Sequence, residues 1–390
     1  MADDTFGDVT GNIDDDAVVI EFNEYEAVAL ESYEVRRSIF TQPSTFSIRL
    51  GWGGVTKELL AVLPPLLQVR LRINGCLQQT AVIDDIEAED SVGATEINIS
   101  GRDVLSFLHD ACIESEIALK DESYQSLVEK ALNAVLGEGS YTLTTSNEAG
   151  RKLSSGIGVR QTAPGADPAE NTTGPTDKIL KANLGERWYD FVKRQLDRAG
   201  LFLWASGDGS YVLSEPNITQ DPSYRILRRR GQTRSEVNVK RARFRNATSQ
   251  RFSEAIICGR GPGKKSGRAQ VQGAFVDEEM FDIGMRRPLV KRDSNITNKE
   301  QAEFYARRKL AEARRVGWNL NYTVAGHTIP SLAGGARAVW TPDTIVEVDD
   351  DEYGIKGKYY LESVTYRRNP QTETDLVLVR PNDMIFGTDA

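Results

Sequence analysis

The residues best suited to chemistry are few in this chain and poorly spaced for it. His109 and His327 are the only histidines, and Cys76, Cys112 and Cys258 the only cysteines. Two imidazoles nearly remove His-based zinc sites and leave little for a Ser-His-Asp or Cys-His arrangement. No serine stands in a G-x-S-x-G elbow. His109 ends an amphipathic turn and reads as a packed or surface histidine rather than a base. Cys112, on the same turn, reads as core. Gly259-Arg-Gly-Pro-Gly-Lys-Lys-Ser266 has the residue types of a phosphate loop, but Lys264 stands where the second glycine is required. No helix follows to meet a phosphate. Asp349-Asp350-Asp351-Glu352 has the carboxylates of a calcium loop without its alternating spacing, and reads as a solvated turn. Carboxylate pairs such as Glu114/Glu116 and Asp84/Asp85 are expected by chance among 57 acidic residues, so they carry no hydrolase reading.

One charge feature remains. Tyr224–Gln270 holds 14 basic residues against only Glu236 and Glu254, in a chain of net charge -9. Its candidate contact residues are Arg228, Arg229, Arg230, Arg241, Arg243 and Arg245. Such a segment can neutralise phosphates. Yet Arg243-Phe244-Arg245 alternates like a strand with one charged face, and aromatic interleaving is thin. An acidic protein surface, including another copy of this acidic chain, is the preferred partner. A nucleic-acid-binding module built on 225–268 is the alternative.

The elements that must carry these residues are mostly strands. A chain of 390 residues, 39% hydrophobic and 27% charged, is globular and long enough for two to four domains. No apolar run approaches the ~20 residues of a membrane span. The start, MADDTFGDVTGNIDDD, lacks the pattern of a secretory signal. Residues 1–31 hold ten acids and no Lys or Arg, and 1–16 read as a flexible acidic arm. Ala17–Phe22, Tyr33–Ile39, Thr45–Leu50, Gln68–Ile73, Thr80–Ile86 and Glu96–Ser100 read as strands, with Asn74-Gly75 as a hairpin turn. Helices are predicted at Thr56–Leu63, Val104–Cys112, Ser123–Leu136, Gly185–Arg198 and Asn298–Arg315. Gly137 and Gly200 are the stops of the third and fourth. A hairpin pairs Leu201–Ala205 with Ser210–Leu213. Ala163–Pro175 reads as a long loop. Strand-like runs return at Ser235–Phe244, Ser253–Gly259, Asn319–Ala325, Arg337–Trp340, Thr344–Val348, Lys358–Tyr366 and Thr374–Val379.

An ordered series of motifs resembles a known family. Val35-Arg36-Arg37-Ser38-Ile39, Phe46, Val69–Asn74, Ala81-Val82-Ile83-Asp84 and Ile97–Asp103, followed by Leu105, Leu108 and Asp110, are similar to the first domain of phage baseplate hub proteins. These are the Mu-like and T4-like hubs, or late control proteins, of contractile-tailed phages, related to the amino-terminal part of type VI secretion spike proteins. Leu184-Gly185-Glu186-Arg187, Asp197–Leu201 and a hairpin with Gly209 match the family's central step. Tyr305-Ala306-Arg307-Arg308, Val339-Trp340-Thr341-Pro342, Tyr359–Val364 and Leu376–Pro381 follow in the family's order. The resemblance spans about 17–386. It departs at Ala81, where the family has a glycine, at the loop 163–175 and in the acidic arm.

The resemblance implies an α+β chain with two barrel-like antiparallel β domains bracketing mixed α/β inserts. The first domain is 17–112, and the second is 224–258 with 319–386. Between them lies a mixed domain at 113–223, and a basic loop with a long helix is inserted at 259–318. It implies a structural hub, not an enzyme: a homotrimer whose six similar domains form a pseudo-six-fold ring between a hexameric tail tube and a trimeric spike. The implied partners are the spike protein and the tube or tube-initiator protein, with tape-measure and baseplate wedge proteins as further candidates. Neither a cofactor, a small-molecule substrate nor membrane insertion is implied. The implied location is the virion tail baseplate, assembled in the host bacterial cytoplasm.

Overall fold

In the computed structural model, residues 16–22, 25–27, 30–52, 63–64, 66–91, 94–115, 118–119, 122–146, 180–230, 239–260, 270–284, 286–296, 298–330 and 337–384 are described. The helix expected at Thr56–Leu63, the loop at 163–175, most of the acidic arm and Gly261–Ser266 lie outside them or nearly so.

Strands account for 49% and helices for 21% of the described residues, so the described part is richest in β structure. The amino-terminal strands are β1 (Val18–Phe22), β2 (Tyr25–Ala27), β3 (Ser32–Ser38), β4 (Thr45–Trp52), β5 (Gln68–Ile73), β6 (Cys76–Ser91) and β7 (Ala94–Asp103). A mixed stretch follows: α1 (Ser106–Asp110), β8 (Ala118–Leu119), α2 (Tyr124–Leu136), β9 (Leu143–Thr145), β10 (Leu180–Lys181), α3 (Trp188–Ala199), β11 (Phe202–Ala205) and β12 (Tyr211–Ser214). Next come β13 (Pro222–Arg228), β14 (Val239–Asn246), β15 (Glu254–Arg260), β16 (Gln270–Val276), α4 (Glu278–Asp282), β17 (Pro288–Arg292) and α5 (Lys299–Gly317). The last strands are β18 (Trp318–Ala325), β19 (Thr328–Pro330), β20 (Arg337–Val339), β21 (Thr344–Asp350), β22 (Ile355–Arg368) and β23 (Thr372–Val379).

Among the described residues the expected pair of barrels is not found as closed barrels. Thirteen strands instead form one sheet in the order β14-β18-β23-β22-β3-β4-β7-β6-β5-β1-β2, with β21 on β22 and β13 on β21. The amino- and carboxyl-terminal strands meet where β22 pairs antiparallel with β3, from Ser363 opposite Ser38 to Arg368 opposite Tyr33. Alternation in sequence fixes which face a strand buries, but not which edge it joins. One core spans both ends of the chain: Val18, Leu71 and Ile99 share it with Trp318, Tyr366 and Leu376.

Short-range chemistry shapes the remaining elements. Asn74 and Gly75 both take positive φ, 48° and 71°, as a tight two-residue hairpin turn requires. Ser123 caps α2 by accepting from the Ser126 N–H at 3.0 Å. Asn298 caps α5 from the Gln301 N–H at 2.8 Å. Gly200 closes α3 in the left-handed region at φ 74°. Two local expectations are corrected. Cys112 lies beyond α1 and is exposed, because α1 ends at Asp110, Ala111 turns extended and Cys112 bridges to Arg187 instead. The strand at Ser253–Gly259 pairs with β16 and β17 rather than with the carboxyl-terminal strands, and α5 covers that small sheet through Ala302, Tyr305 and Leu310.

Candidate functional site

The six arginines divide into two groups with different electrostatics. Arg228 ends β13, which runs parallel to β21 with Arg228 opposite Asp350. That register lays the arginines beside the acidic run. Arg228 Nη1 stands 3.3 Å from Asp350 Oδ2 and its guanidinium 5.0 Å above the Tyr353 ring. Arg229 pairs with Asp349 and, at 3.2 Å, with Asp351. Arg230 reaches Glu352 at 3.6 Å. The run read as a solvated turn is thus partly interior. Asp350 is 1% exposed and also accepts the Tyr322 hydroxyl at 2.8 Å and the Glu352 N–H at 3.0 Å. The reason is that β21 continues to Asp350 and carries its last carboxylates under the β13 arginines. No cluster able to hold a metal ion is found among the described residues.

Arg241, Arg243 and Arg245 behave otherwise. They alternate along β14 with Ala242 and Phe244, opposite Thr323, Asn321 and Asn319 of β18. Ala242 packs on the core and Phe244 meets Trp318 with ring centroids 5.7 Å apart, so the three arginines point away from the core. All three are exposed, and among the described residues none forms an ion pair. The Tyr353 hydroxyl donates to the Ala242 carbonyl at 2.9 Å on the edge strand. The surface therefore offers a row of three unneutralised guanidinium groups, spaced by the strand repeat of about 6.7 Å.

The other candidates are structural where they are described. His109 stacks on Tyr189 with ring centroids 3.7 Å apart, and burial lowers its pKa to about 4. His327 is fully buried, between the Tyr33 hydroxyl at 2.7 Å and the Thr374 hydroxyl at 2.8 Å. Asp84 is held by Arg102, which also binds Asp110. A shallow groove opens between α3, α5 and Phe40, with Arg308 4.9 Å over the Phe202 ring, and among the described residues no histidine, cysteine or serine lines it.

The sequence reading missed a second charged row. A bulge between Ile83 and Asp85 shifts the register of β6 on β7, so Asp85, Glu87 and Glu89 stand opposite Ser100, Asn98 and Glu96. These three are exposed and form no ion pair among the described residues. The alternation Asp-Ile-Glu-Ala-Glu carries the signal. The bulge that sets its phase has no local signature.

No family model matches this chain, and no curated protein does. Solved structures match along nearly its whole length. A tail protein from Neisseria meningitidis MC58 is 21% identical, with a TM-score of 0.74 over 95% of this chain and 98% of its own. The 43 kDa tail protein of prophage MuSo2 from Shewanella oneidensis is 18% identical, with a TM-score of 0.72 over 94% and 99%. An E. coli component of the type VI secretion system is 10% identical, with a TM-score of 0.54 over 95% and 79%. The chain has the fold of these tail and secretion proteins.

Proposed function

We propose that this protein is a structural baseplate hub of a phage tail or of a phage-like contractile injection system. The observation that carries this reading is the end-to-end likeness in fold to two tail proteins, each covered over 98% or more of its length. In this reading the chain is a homotrimer. The strands of 17–112 and those of 224–258 and 319–386, less β15, act as two similar units. Three copies then present six units to a hexameric tube and three-fold symmetry to a spike. Its partners are the spike protein and the tube or tube-initiator protein, with tape-measure and wedge proteins beyond them, and its place is the tail baseplate. Its work is interface geometry and not turnover. The nucleic-acid alternative is the weaker one, because Arg228, Arg229 and Arg230 already face carboxylates.

The test is solution mass by light scattering, for the chain alone and with the spike protein encoded beside it. A mass of three subunits, or a three-to-three complex, is expected. A monomer that never binds the spike protein overturns the reading.

A further inference from the structure

Two rows of unneutralised charge lie on the outward face of one sheet, opposite in sign and equal in period. On β14 the row is Arg241, Arg243 and Arg245; on β6 it is Asp85, Glu87 and Glu89. Each is exposed, and none forms an ion pair among the described residues. Each row runs beside a polar row of the neighbouring strand: Thr323, Asn321 and Asn319 in one case, Ser100, Asn98 and Glu96 in the other. Glu89 feels Arg49, but that guanidinium is already held by Glu31 and Glu96.

The rows do not meet within one copy along the sheet. The strand order separates β14 from β6 by β18, β23, β22, β3, β4 and β7. At about 4.8 Å per strand that is roughly 34 Å across the sheet, several Debye lengths at physiological salt. Between copies they match: alternate residues on any strand repeat every ~6.7 Å, so three guanidinium groups can face three carboxylates in register.

We propose that the β14 arginine row of one copy docks on the β6 carboxylate row of the next copy. Complementary patches at two different places on one chain make a head-to-tail contact, which closes into a ring when the rotation allows. The partner of the basic strand is thus a second copy of this chain. The proposal rests on the hub reading, since it supplies the contact between subunits of that ring.

Three charge variants test it, all at exposed positions, with circular dichroism and melting temperature as folding controls. Variant one carries Arg241→Glu, Arg243→Glu and Arg245→Glu. Variant two carries Asp85→Arg, Glu87→Arg and Glu89→Arg. Variant three carries all six reversals. Solution mass is followed across protein concentration at low and high salt, with and without the spike protein. Variants one and two are expected to self-associate on the order of 100-fold more weakly than the natural chain, because like charges then face each other. Variant three is expected to recover, since both rows have exchanged sign. Association of the natural chain is expected to weaken as salt rises. Unchanged association of variants one and two overturns the docking while leaving a spike-bound trimer, and so the hub reading, intact. Failure of variant three to recover also overturns it. A natural chain that neither self-associates nor binds the spike protein overturns both.

Discussion

His327 ties three distant segments together, and its proton inventory has a measurable consequence. Thr374 donates its hydroxyl to the Gly326 carbonyl at 2.7 Å, so the hydroxyl oxygen accepts from His327 Nδ1–H. Nε2 then accepts the Tyr33 hydroxyl, and the ring is held neutral between β3 and β23. Burial lowers its pKa to about 4 from 6.5. The unfolded chain therefore takes up the extra proton between those two values. The stability that the neutral ring contributes is present above about 6.5 and is lost as the pH falls toward 4. Asp103 runs the other way in the same window. Burial raises its carboxyl to about 6 although the Ser44 and Leu105 N–H groups donate to it at 2.8 and 3.0 Å. Its contribution is present at low pH and is lost as the pH rises through about 6. His109, with a similarly lowered pKa, runs with His327. The whole-chain profile mixes these signs, so the informative quantity is a difference. Urea unfolding at pH 7 and pH 4 is expected to show the gap between the natural chain and His327→Gln shrinking by ~3 kcal/mol at the lower pH. Parallel profiles would mean that the ring titrates freely. Nothing local in the sequence marks this residue. Its surroundings come from positions far away in the chain, and only the scarcity of histidine was visible.

At the scale of elements, what was legible is what short-range rules dictate. Ser123, Gly137, Gly200 and Asn298 mark helix ends in sequence, and α2, α3 and α5 begin or stop beside them. The hairpin at Asn74-Gly75 follows from turn chemistry alone. The small sheet of β15, β16 and β17 was largely hidden, because β15 and β17 pair in parallel across a long connection and β17 is mostly exposed. Exposed edge strands lack the apolar alternation that reveals half-buried ones. Gly273 shows what the sheet demands of its cover. A Cβ there would lie 2.4 Å from the Glu303 backbone N and 2.6 Å from Ala302 Cβ. α5 thus rests directly on the β16 backbone, and any side chain pushes it away. Gly273→Ala is expected to cost about 2 kcal/mol or more, read as a drop in melting temperature, whereas Gln272→Ala on the exposed face changes little. Equal effects of the two substitutions would show that the helix yields without cost. The arginine rows follow the same logic: alternation exposed Arg243 and Arg245 to a sequence reading, while the bulge before Asp85 hid the acidic row.

At the scale of the whole molecule, two β regions were legible as strands, but not their union in one sheet. The joint is the pairing of β22 with β3, more than 300 residues apart in sequence, and no periodicity carries a signal over that distance. Its energetic meaning is that neither half has a complete core. Val35, Phe46 and Ile48 of the amino-terminal strands belong to the same buried cluster as Trp318, Tyr322, Val364 and Leu376. Removing the carboxyl-terminal strands would uncover these side chains and leave β3 as an open edge, ready to pair with another chain. Burial contributes about 25 cal/mol per Å² of apolar surface. A fragment that loses this shared burial also keeps the conformational entropy cost of ordering its own residues, at least ~1 kcal/mol each. A fragment of residues 1–115 is therefore expected to aggregate or to lack near-ultraviolet circular dichroism, although it contains β1 to β7 complete. The full chain is expected to lose the amino- and carboxyl-terminal parts of the large sheet in one transition, followed by hydrogen exchange at Val35 and at Leu376 together. A fragment of 1–115 that is soluble, monomeric and cooperative in unfolding would show that the first β region is a self-sufficient unit. The β22–β3 joint would then be a docking contact between two finished domains, and the shared core a consequence of that docking and not a condition of folding.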